Sequence, residues 1–74
     1  MDEVRLKERL LAESAEFRKL FEEHQIQESR LAGLAAKPFL SPAEELEEKD
    51  IKKRKLALKD RMYLLMREAQ KTHP

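Results

Sequence analysis

The chain has 74 residues, enough for one domain at most, and 42% of them are charged against only 5% aromatic. Acidic and basic residues nearly cancel, 15 against 16, so no global field recruits a polyanion. With no cysteine there is no disulfide or thiolate zinc site, and the single glycine excludes a glycine-rich phosphate loop.

The N-terminus, Met1-Asp2-Glu3-Val4-Arg5, is charged from its second residue and lacks the apolar core of a signal peptide. No apolar run approaches the roughly 20 residues needed to span a bilayer, so a cytoplasmic protein is the expectation. Disorder competes as an account of so much charge. It loses because large apolar residues recur at helical spacing among interleaved charges of both signs.

The first predicted element is one long helix over 3–36. On a wheel advancing about 100° per residue, Leu6, Leu10, Leu20, Phe21, His24, Leu31 and Ala35 share a face with Phe17. Glu13, and the polar residues around Gln27 and Glu28, interrupt this stripe. Asp2 and Glu3 suit the positive helix start. Gly33 weakens the helix by roughly 1 kcal/mol relative to alanine. Lys37 precedes Pro38, which disfavours the helical conformation and ends the element near Ala36.

A turn is expected over 37–41, with Phe39 and Leu40 folding back over the helix ends near Leu34 and Leu46. The second helix, over 42–71, announces its start in Ser41-Pro42-Ala43-Glu44. Ser sits at N-cap, Pro at the first helical position and Glu at N3, the pattern of a capping box. Its apolar face is centred on Leu58 with Ile51, Met62, Leu65 and Ala69. Acid-before-base pairs such as Glu48 with Lys52 add helical support.

A connection this short makes the two helices antiparallel neighbours in a single 1–74 domain, an all-α helical hairpin. Closing the turn pairs positions whose numbers sum to roughly 79. Phe17 then faces Met62, Phe21 faces Leu58, Leu10 faces Ala69, and His24 lies near Lys55 and Ile51. A second set of apolar residues (Val4, Leu11, Ile26, Leu56 and Tyr63, with Ala15) falls off this interface. A two-helix hairpin buries one stripe per helix, and isolated hairpins of this size are marginal. The expectation is a homodimer forming a four-helix bundle, or docking of a helical protein partner, through Val4, Leu11, Ile26, Leu56 and Tyr63.

Reaction chemistry is absent. His24 and His73 are the only histidines; neither has the companions that a metal site needs, and no serine has a histidine at useful spacing. Neither an enzyme nor a cofactor is expected. The strongest charge feature lies in the second helix. Residues 44–50 carry five acids against one base, and residues 52–61 carry six bases against one acid. A nucleic-acid surface using Lys52, Lys53, Lys59 and Arg61 is the alternative function. Against it, the run winds around the whole helix and no aromatic residues alternate with it as stacking platforms.

Leu56-Ala57-Leu58-Lys59-Asp60, preceded by Lys52-Lys53-Arg54-Lys55 and followed by Met62-Tyr63, resembles the signature of the YdcH-like family of small bacterial proteins. Phe17 to His24 is similar to that family's phenylalanine-to-histidine segment, and Leu31 and Leu34 match the apolar spacing that follows. The resemblance covers about residues 6–67. It implies a helical hairpin of unknown function and no catalytic residue.

Overall fold

The computed structural model describes residues 2–72, so His73 lies outside the described part of the chain. Three helices follow one another: α1 (Glu3–Glu13), α2 (Ala15–Ala35) and α3 (Pro42–Thr72). The single long helix expected over 3–36 is therefore corrected to two helices, α1 and α2, broken at Ser14.

The break is built locally. Ser14 is extended (φ −110°, ψ 112°), and its own N–H donates to the Leu10 carbonyl, closing α1. Its Oγ accepts from the Phe17 N–H at 3.1 Å, opening α2. The Arg18 guanidinium then donates to the carbonyls of Leu11 and Ala12, both at 3.1 Å, which the end of α1 would otherwise leave without partners.

Packing explains why the chain bends there. A straight helix in the expected register would carry Leu6 past the end of α3. Bending at Ser14 brings α1 back across α2 and α3, where Leu6 joins Phe17, Met62 and Met66 in the core. Leu6 and Phe17 are both 0% exposed. Full burial of one leucine contributes about 1.5–3 kcal/mol, and the bonds from Ser14 and Arg18 offset part of what the helix break costs. Leu10, Leu11, Leu20, Phe21, Leu65 and Ala69 pack partly buried around that cluster.

α2 and α3 run antiparallel. Ion pairs join Glu16 to Arg61, Glu28 to Lys55, Arg30 to Glu47 and Lys37 to Glu44, within about one helical turn of the expected register. Phe17 and Met62, expected to face each other, share the core cluster, and Leu34, Ile51 and Leu58 are also buried.

The capping box forms as the sequence dictates. The Ser41 N–H donates to Glu44 Oε1 at 3.0 Å, and the Glu44 N–H donates to Ser41 Oγ at 3.2 Å. The other Glu44 oxygen accepts from Lys37, so one carboxylate ties both ends of the turn. That clamp holds the backbone with Phe39 at the apex, 88% exposed, while Leu40 is half-buried. Phe39 does not fold back as expected, and Leu46 is likewise exposed.

Candidate functional site: the outer face of α3

With α2 along one side of α3 and α1 across the next, the rest of α3 faces solvent. Leu56 (61% exposed), Tyr63 and Leu64 lie on this outer surface. Tyr63 borders a cleft of about 190 Å³ whose other walls are Lys7 of α1, Phe21, His24 and Gln25 of α2, and Lys59, Met62 and Met66 of α3. A volume this small is below the roughly 300–1,000 Å³ typical of small-molecule sites and suits a single protruding side chain. A second shallow cleft beside it is lined by Glu3, Tyr63, Met66, Arg67 and Gln70, so Tyr63 and Met66 are shared by both.

The five apolar residues singled out from the sequence divide between two situations. Val4, Ile26, Leu56 and Tyr63 are exposed, whereas Leu11 is half-buried against the Leu6–Phe17 cluster. The bend at Ser14 puts Leu11 there; on a straight helix it would face away from α3. His24 borders the Tyr63–Lys59 cleft rather than only the Lys55–Ile51 level to which the straight-helix register assigned it.

The four basic candidates are all exposed but not equally available. Arg61 Nη2 lies 2.7 Å from Glu16 Oε1, and this hydrogen-bonded carboxylate holds its guanidinium above its ordinary pKa. Lys52 Nζ is 3.7 Å from Glu48, and Lys59 lines the Tyr63 cleft. Lys55, in the same run, pairs with Glu28, and the lysine's hydrogen bond and charge hold that carboxyl below its usual value. Three bases of the run, Lys52, Lys55 and Arg61, are thus matched by carboxylates of their own chain, which reduces what the run offers a phosphate backbone.

Among the described residues no three His, Cys, Asp or Glu side chains are grouped to hold a metal ion. No helix among them is long and apolar enough to cross a membrane.

The architecture is that of a small all-helical protein with an exposed amphipathic face on its longest helix. The sequence model of a family described as protein of unknown function (DUF465) matches residues 17–66, and the chain belongs to that family. The matched span runs from the first core residue of α2 to Met66 of α3, so α1 lies outside it. No curated protein and no solved structure matches the chain.

Proposed function

We propose that this protein is a non-enzymatic interaction module that works by pairing the exposed face of α3 with another helix, most simply that of a second copy. One observation carries the reading. Among the described residues, seven hydrophobic side chains form the core and seven large ones remain exposed. The exposed set is therefore as numerous as the core itself. Four of its members, Leu46, Leu56, Tyr63 and Leu64, belong to one helix, α3. Helix-in-groove recognition uses such apolar anchors spaced along a helix and framed by charge. The resemblance of the Leu56–Asp60 stretch to the YdcH-like signature fits a motif that specifies pairing rather than chemistry.

The test is sedimentation equilibrium of the wild type beside Leu56→Asp/Tyr63→Asp. The wild type is expected to associate at micromolar concentration. The double variant is expected to be monomeric with its helical circular dichroism retained. A folded wild-type monomer at high micromolar concentration defeats self-association. Loss of all helicity in the variant would assign Leu56 and Tyr63 to the core instead.

A further inference from the structure

We infer that the occupant of the outer α3 face is the same face of a second copy, lying antiparallel across a two-fold axis near Leu56; this rests on the interaction reading above and adds its geometry. The argument is one of charge complementarity in the sector that the fold leaves open. On the inner side of α3, Ile51 and Leu58 are buried with α2 beside them, and Met62 and Met66 are buried with Leu6 of α1. The sector opposite these residues carries Glu45, Lys49, Lys53, Leu56, Asp60 and Arg67, every one exposed.

The ion pairs that α3 makes within its own chain use Glu44, Glu47, Glu48, Lys52, Lys55 and Arg61. Glu45, Lys53, Asp60 and Arg67 have no ion-pair partner among the described residues. Two-fold antiparallel pairing about Leu56 sets Glu45, eleven residues before the axis, opposite Arg67 of the other copy, eleven residues after it, and the symmetry repeats the contact. Lys53 and Asp60 lie one residue out of that register, about 1.5 Å along the helix and within reach of a lysine side chain, which offsets the like charge of Lys59 directly opposite Lys53. Leu56 meets Leu56 at the axis. Lys49 falls opposite Tyr63, where an ammonium over a phenol ring is favourable. A parallel pairing fails on the same charges, because it sets Glu45 against Glu45 and Arg67 against Arg67.

Charge reversal tests the geometry. Glu45→Arg and Arg67→Glu are each expected to weaken dimerisation about tenfold in sedimentation equilibrium, since each replaces two attractive contacts by two repulsive ones. The double variant Glu45→Arg/Arg67→Glu is expected to restore it. Because the chain has no cysteine, Glu45→Cys mixed with Arg67→Cys should also form a disulfide dimer under mild oxidation. Neither variant alone should do so. A double variant as weak as the singles, or self-crosslinking of Glu45→Cys alone, overturns the antiparallel register. In that case association through Leu56 and Tyr63 would still stand if the wild type sediments as a dimer. A wild-type monomer would remove both.

Discussion

Leu6→Ala isolates what the bend at Ser14 contributes. Leu6 is 0% exposed and its neighbours Phe17, Met62 and Met66 are the heart of the core, so truncation leaves a cavity bounded by all three helices. Leucine-to-alanine changes at buried sites cost about 2–5 kcal/mol. A chain of this length has a total stability of only about 4–11 kcal/mol. The variant should therefore lose a large share of its stability, and at a urea dependence of about 1 kcal/mol per molar its unfolding midpoint should fall by about 2 M or more. The control is Val4→Ala, two residues away in the same helix but 61% exposed, which should move stability by less than about 0.5 kcal/mol. Both are read by urea titration followed by far-ultraviolet circular dichroism. Backbone amide exchange of α1 gives a second readout, because α1 should lose protection in Leu6→Ala before α2 and α3 do. Equal midpoints for the two variants would mean that α1 is not packed on the rest of the molecule, and the account of the bend would be wrong.

Three further changes test other parts of the fold. Gly33→Ala should stabilise the protein by about 0.5–1 kcal/mol, because a Cβ there meets nothing within 4 Å and the unfolded chain loses freedom; unchanged or reduced thermal stability refutes this. Ser14→Ala should cost about 0.5–2 kcal/mol by removing the cap on the Phe17 N–H, and a calorimetric melt identical to wild type would show that the cap is idle. The Glu44 carboxyl is held down to about 2, first by its hydrogen bond from Lys37 and then by Ser41. Since its folded pKa is depressed, its contribution is complete above the ordinary carboxyl value of 4.5 and is lost as pH falls toward about 2. The stability difference between wild type and Glu44→Gln should shrink over that window, and a difference that stays constant across it would contradict the tether.

What was legible in the sequence was local. Ser41-Pro42-Ala43-Glu44 contains both partners of its own capping interactions, so the start of α3 is defined without reference to the rest of the chain. The spacing of Phe17, Leu58 and Met62 likewise needed only the helical period and a short turn. The break at Ser14 was less visible because it uses neither proline nor glycine. Its signals were a serine followed by Ala15-Glu16, an acid interrupting the stripe at Glu13, and an apolar Leu6 that a straight helix would strand beyond its partner. Arg18 completes the joint from four residues downstream, as a contact between its side chain and two carbonyls that no periodicity encodes. The exposure of Phe39 was hidden for the same reason. It follows from the carboxylate of Glu44 clamping the turn from both sides.

The joint at Ser14 also has a kinetic consequence. α2 and α3 meet across a short turn, whereas Leu6 finds Met66 only after nearly the whole chain has been ordered. Low-order contacts close first, so the joint at Ser14 and the turn between α2 and α3 should order early, and the contacts of α1 with α3 should be the last to form. Leu6→Ala would then speed unfolding with little change in the folding rate, while truncation of Leu58 would slow folding. Until Leu6 reaches α3, Met62 and Met66 lack their covering side chain, so the two ends of the chain should complete the core together.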